Sequence, residues 1–161
     1  LHPTIPIIEN GRRRLSGRDL DIHLTTAAAT DGDVWVYDSA SRTLIAGDLV
    51  TLPVPFLDTA CPAGWRKALD ELDDAPFTRL VPGHGAVMDR KDFRRYRIAF
   101  GHLVDCAGRS RSDAAGCTER WVRDLGSLLS PDEQAQARDL LGYYVDQRLR
   151  GAAATADCRA H

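Results

Sequence analysis

Arg42-Thr43-Leu44-Ile45-Ala46-Gly47-Asp48 and Pro82-Gly83-His84-Gly85 decide how this chain reads. Each string sets a metal-capable side chain just past an apolar, strand-like run. Glycines beside Asp48 and His84 let the backbone turn sharply and leave room for something to approach the side chain. A carboxylate and an imidazole delivered this way suit a zinc-type cation. Singly, neither string is specific: an Asp after a strand is more often a turn former than a ligand. Their order, with one helix-length segment between them, makes the pair informative.

Working outward, Leu20, Ile22 and Leu24 alternate with Asp19, Asp21 and His23, which predicts a half-buried strand with His23 on its exposed side. Val34-Trp35-Val36-Tyr37 is a strand by propensity, and Asp38-Ser39-Ala40-Ser41 is the hairpin connection to a strand over residues 43–46. Residues 1–17 read as irregular, residues 49–60 as a loop, and Ala27 to Asp33 as a turn. Pro62 opens a helix with Trp65, Leu69 and Leu72 on one face. Phe77 to Val81 is a short buried strand ended by Pro82-Gly83. Three helices follow, capped by Asp89, by Asp113 and by the Ser130/Glu133 capping box, and the alanine-rich tail from Gly151 is expected to be loose.

With 161 residues, 43% of them hydrophobic and 27% charged, the chain can bury one ordinary core. A net charge of −2 gives no reason to expect nucleic acid or an anionic membrane surface as partner. No apolar run reaches membrane-spanning length. The chain begins at Leu1 rather than Met, and the expectation is of a piece processed or excised from something longer. Its basic residues are mostly arginine, read as genomic composition, with phosphate-binding patches as the weaker alternative. Cys61, Cys106, Cys117 and Cys158 make no CxxC pair, so a zinc ribbon is not expected. Cys106 and Cys117 flank an Arg/Ser/Gly-rich loop, where a disulfide and a pair of free thiols both remain open; a disulfide would imply an oxidising compartment.

The hairpin ending in Ala46-Gly47-Asp48-Leu49-Val50, the helix with Trp65, and Leu80-Val81-Pro82-Gly83-His84-Gly85 resemble the C-terminal half of the metallo-β-lactamase superfamily, over about Leu20 to Met88. The resemblance implies an α/β fold: the C-terminal half of an αββα sandwich over residues 1–88, a helical extension over 89–150, and the tail 151–161. It implies one or two metal ions, usually zinc, in the complete fold, and hydroxide on the metal attacking an ester, thioester, lactam or phosphodiester. By position Asp48 resembles the catalytic aspartate that bridges both ions, and His84 the histidine that completes the second site. The long extension with Cys106, Cys117 and Tyr143-Tyr144 resembles a periplasmic branch linked with quinoprotein systems, so the expected location is periplasmic or secreted.

Two departures qualify the resemblance. The family's His-x-His-x-Asp-His cluster is absent; the five histidines, His2, His23, His84, His102 and His161, are scattered. Where the family has His-Thr-x-Gly-Asp, this chain has Ala29-Thr30-Asp31-Gly32-Asp33, so Ala29 stands at a ligand position. Zinc is therefore expected to be weak or absent in this chain alone. Three readings compete. In the first, the chain is part of a hydrolase whose N-terminal half, or a second chain, covers the sheet. In the second, it is a degenerate member with a structural or binding role. The third, a helical interaction module over residues 89–149, ignores the motif pair. His102 is expected to be partly packed, the three tryptophans to anchor the core, and Ser16 and Ser110 to lack a triad. Leu52, Val54, Phe56 and Leu57 give the loop near the site an apolar rim and nothing finer; the expected partner is a small-molecule substrate whose identity the sequence does not give.

Overall fold

A computed structural model describes residues 6–109 and 113–158 of the chain. Five strands, β1 (Gly11–Leu15), β2 (Arg18–Thr25), β3 (Asp33–Asp38), β4 (Thr43–Thr51) and β5 (Arg79–His84), form one sheet in chain order. β1 to β4 are antiparallel neighbours, and β5 lies parallel to β4 after a crossover through α1 (Pro62–Asp74). α2 (Arg90–Ala107), α3 (Ala114–Leu125) and α4 (Pro131–Arg148) follow, with 3-10 turns at Gly126–Leu128 and Gly151–Thr155.

The helix starts follow the capping chemistry of the sequence. Asp89 accepts from the Asp92 amide, Asp113 caps the Gly116 amide, and Ser130 and Glu133 form the reciprocal box. Cys61 caps α1, whose Trp65, Leu69 and Leu72 are buried as their spacing predicts.

The N-terminal segment differs from the expectation of irregular chain. Arg12, Arg13 and Arg14 sit in β1, joined to β2 by Ser16-Gly17, both at positive φ. That is the backbone of a two-residue hairpin turn, matched to strand twist. Cross-strand pairs hold the basic edge: Arg12 to Asp21 at 2.8 Å and Arg14 to Asp19 at 3.5 Å. β4 also runs further than the apolar run 43–46, and β5 includes Pro82 and Gly83. Proline is tolerated there because β5 is an edge strand, which needs fewer ladder donors.

Register partners share a face of the sheet. Asp21, His23, Trp35, Tyr37, Leu44 and Leu80 lie on one face, where the Tyr37 hydroxyl donates to the Pro76 carbonyl just past α1. Leu20, Ile22, Leu24, Val34, Val36, Ile45 and Val81 lie on the other. This second face is apolar yet incompletely covered, with Val34 39% and Ile45 45% exposed. His23 is half-buried rather than exposed, because its ring stacks on Trp35 at 3.7 Å.

Buried residues of β3, β4, β5, α1 and the three later helices form one cluster, and Trp65 and Trp121 are among its largest members. Trp35 is also buried. Two disulfides close the molecule: Cys106 to Cys117, and Cys61 to Cys158. The second ties the region after Gly151 to the start of α1, so the described part of the tail, up to residue 158, is anchored rather than loose. Arginines serve mainly as internal partners: Arg90, Arg94 and Arg97 converge on Asp73, and Arg138 pairs with Glu119.

Candidate metal centre

Asp48 and His84 reach the same edge of the sheet from adjacent strands. Between Ile45 and Thr51 the β4 ladder loses its regular register against β5, and Gly47 in that stretch has φ +53°. Such a bulge re-aims a side chain away from the pleat, and Asp48 is the residue re-aimed. It therefore lies inside β4, and His84 is the last residue of β5.

The His84 Nε2 lies 3.7 Å from the Asp48 Oδ1, and both side chains are about half exposed. That is too long for a hydrogen bond. It is close to the roughly 3.3 Å that separates two donors of one tetrahedral zinc with bonds near 2.0 Å. Gly83 permits the approach: a Cβ there would stand 2.4 Å from the Asp48 Oδ1. The His84 carbonyl accepts from the Leu52 amide at 3.0 Å, and the Phe56 ring stands edge-on to the imidazole, 5.2 Å between centroids.

Ala29 is buried at 3% exposure beside a turn that is chemically organised. The Asp33 carboxylate accepts from the Thr30 amide at 2.9 Å and its hydroxyl at 3.1 Å. Burial pushes the Asp33 carboxyl above its ordinary range; the bonds from Thr30 and Ala29 oppose this, and the Asp48 charge adds to it. The Asp33 carboxylate therefore lies within electrostatic reach of Asp48, and the buried methyl group of Ala29 directly precedes its turn.

Among the described residues, no group of three or more His, Cys, Asp or Glu side chains could hold a metal ion. Asp48 and His84 fit a zinc ion in kind and spacing and fall short in number, since zinc sites take three or four protein donors. The other histidines do not join them. His23 stacks on Trp35, and His102 pairs with Asp124 at 2.8 Å between α2 and α3. His2, His161 and Ser110 lie outside the described residues.

Sequence reasoning misses what supports the loop beside His84. Trp121 of α3 donates to the Pro53 carbonyl at 2.8 Å, Arg148 of α4 to the Leu57 carbonyl at 3.1 Å, and the Tyr144 hydroxyl to Asp58 at 2.8 Å. Burial first, then the hydrogen bond to Asp58, push the Tyr144 phenol up to about 12. These ties join positions 68 to 91 residues apart, beyond the reach of local patterning.

The bulged, mostly antiparallel sheet has one face toward helices and the Asp48–His84 pair at its edge, and it matches part of a layered α/β sandwich seen in solved structures. That sandwich is the metallo-β-lactamase fold. A metallo-β-lactamase from Pontibacter korlensis superposes with a TM-score of 0.53 at 20% identity, covering 62% of this chain and 49% of that one. A metallo-β-lactamase family protein from Thermus thermophilus gives 0.54 at 15% identity, over 90% of this chain and 50% of that one. The stereoselective inverting sec-alkylsulfatase from Pseudomonas sp. gives 0.59 at 16% identity, over 89% of this chain and 27% of that one. The chain thus spans about half the length of the first two. No protein-family model and no curated protein sequence matches it.

Proposed function

We propose that this chain is part of a metal-dependent hydrolase, contributing Asp48 and His84 to a zinc centre that other donors complete. The observation that carries this reading is the 3.7 Å separation of two solvent-accessible donors brought together by β4 and β5. A bound zinc ion would supply a water with its pKa lowered to about 7. The chain's own residues hold the donors in place: the Gly47 bulge aims Asp48, and the Leu52 amide fixes the His84 backbone. An ester, thioester, lactam or phosphodiester is the substrate class of this reading. The names of the fold neighbours, lactamase and sulfatase, support hydrolysis without choosing among these.

The remaining donors would come from an N-terminal half of the fold, or from a second chain, seated on the apolar face of Leu24, Val34, Val36, Ile45 and Val81. A face of this kind is stable only when covered. The two disulfides support a periplasmic or secreted location. One observation favours a second reading, a degenerate member with a binding or structural role: the buried Ala29 at the expected ligand position.

Zinc titration with elemental analysis separates these. The expected result is weak, substoichiometric zinc in the 161-residue chain, abolished in Asp48→Asn/His84→Gln, and tight zinc once a segment carrying the missing ligands covers the sheet. Two tightly held ions in this chain by itself would refute the shared-site reading. No zinc in the covered form would favour the degenerate one.

A further inference from the structure

The loop from Leu52 to Ala60 passes the edge where Asp48 and His84 meet. Leu52, Val54, Leu57 and Ala60 are buried, yet Phe56 remains 41% exposed with its ring edge-on to His84. Phe56 is therefore held at the surface by the anchoring of its neighbours, not by its own burial. On the sheet side the Leu52 amide donates to the His84 carbonyl, and the Thr59 hydroxyl reaches the Ala29 carbonyl at 3.5 Å. On the helical side the Pro53 and Leu57 carbonyls and the Asp58 carboxylate accept from Trp121, Arg148 and Tyr144. Loop carbonyls that lack a ladder need such partners wherever packing excludes water. Cys61, directly after the loop, is bonded to Cys158 beyond α4, which closes the same layer over the loop's far end.

We propose that α3 and α4 form a strap that fixes this loop, and that Tyr144 is a positioning residue which keeps Phe56 as an apolar wall beside His84. The wall selects substrates with an alkyl or aryl group next to the bond that is hydrolysed. That substrate clause rests on the hydrolase reading above; the strap does not.

Tyr144→Phe tests the strap because it removes one hydroxyl and no packing volume. In the metal-free chain, amide exchange over residues 52–61 speeds up about fivefold, the factor one hydrogen bond of ordinary strength is worth. Exchange over residues 18–38 stays unchanged. The His84 imidazole resonances move toward those of Phe56→Leu, and Tyr144→Phe adds no further shift in the Phe56→Leu background. Asp58→Asn, which keeps an acceptor oxygen, retains slow exchange. Unmoved His84 resonances in Tyr144→Phe, or equal shifts with and without Phe56, overturn the strap. With zinc and the completed fold, Phe56→Asn raises KM for a hexanoyl ester severalfold more than for an acetyl ester; equal effects on both refute the wall. Absence of any hydrolysis by the wild type refutes the hydrolase reading and the substrate clause, while the exchange and resonance results decide the strap independently.

Discussion

Gly83 lies so close to Asp48 that a Cβ built on it would stand 2.4 Å from the Asp48 Oδ1 and 2.8 Å from the Gly47 carbonyl. The atoms in the way belong to the carboxylate itself and to backbone, so the neighbours have little room to give. Gly83→Ala should therefore destabilise the fold by about 1–3 kcal/mol, the usual cost of overpacking. It should also push Asp48 away from His84 and weaken any zinc binding that depends on both. Urea denaturation and zinc titration of the variant check this. Wild-type stability with wild-type zinc affinity would show that the close approach is not maintained in solution.

The two disulfides close loops of different length, with Cys106 and Cys117 separated by 11 positions and Cys61 and Cys158 by 97. In the chain-entropy picture the short one stabilises by about 3 kcal/mol and the long one by about 4–5 kcal/mol. Cys61→Ser/Cys158→Ser should therefore lower the melting temperature more than Cys106→Ser/Cys117→Ser. A non-reduced digest should show both bridged peptides in the wild type. Alkylatable thiols in freshly isolated protein would contradict the oxidised state.

The helix starts are legible in the sequence because their causes are local, whereas the convergence of Asp48 with His84 is legible only through the resemblance of their two strings to a known fold, because β4 and β5 meet across a crossover. Asp89, Asp113 and Ser130 announce helix starts by the amides they cap, and glycine next to a ligand type announces a special backbone. β1 is not legible, because Arg12 to Arg14 carry no apolar alternation. Their strand is held by carboxylates on β2 and by a Ser16-Gly17 turn whose backbone the residue names do not reveal. The half-burial of His23 escapes for a related reason: a polar position in an alternating strand reads as exposed, whereas here it meets Trp35 across the ladder. The Tyr144–Asp58 tie and the Cys61–Cys158 bond depend on helix packing, which no motif encodes.

His23 gives the fold a dependence on pH. Burial holds its imidazole below the ordinary histidine value, against the opposing charges of Asp21 and Glu71. Neutral His23 is thus the form the folded state prefers, while the unfolded chain takes up a proton at about pH 6.5. Between the two values the unfolded state binds more protons, so stability rises with pH. The contribution is complete above about pH 6.5 and is lost as pH falls toward the folded value. His23→Phe, which keeps a ring against Trp35, should flatten the slope of stability between about pH 5 and 7. Urea midpoints across that range measure it, and an unchanged slope would place the titrating group elsewhere.

Ala29→His should raise zinc affinity once the sheet is covered by a segment with its own ligands. Residue 29 precedes the turn in which Asp33 accepts from Thr30, and that turn lies within electrostatic reach of Asp48. An imidazole there would add a nitrogen donor to the carboxylate and the one histidine that this chain offers the proposed centre. Ligand-supporting groups alone change metal affinity about 10–100-fold, so a restored direct donor should give at least about tenfold. Because Ala29 is 3% exposed, a larger side chain also has to displace its neighbours. Ala29→Leu supplies comparable bulk without a donor and should cost about 1–3 kcal/mol of stability with no gain in zinc. Zinc titration of the wild type and both variants distinguishes the effects, because bulk acts on both and coordination on one. If the proposed hydrolase reading holds, ester, thioester, β-lactam or phosphodiester hydrolysis should rise in Ala29→His in parallel with zinc occupancy, because a bound metal would supply the activated water. Equal affinity in Ala29→His and the wild type would remove residue 29 from the ligand position and leave its methyl group an ordinary part of the core.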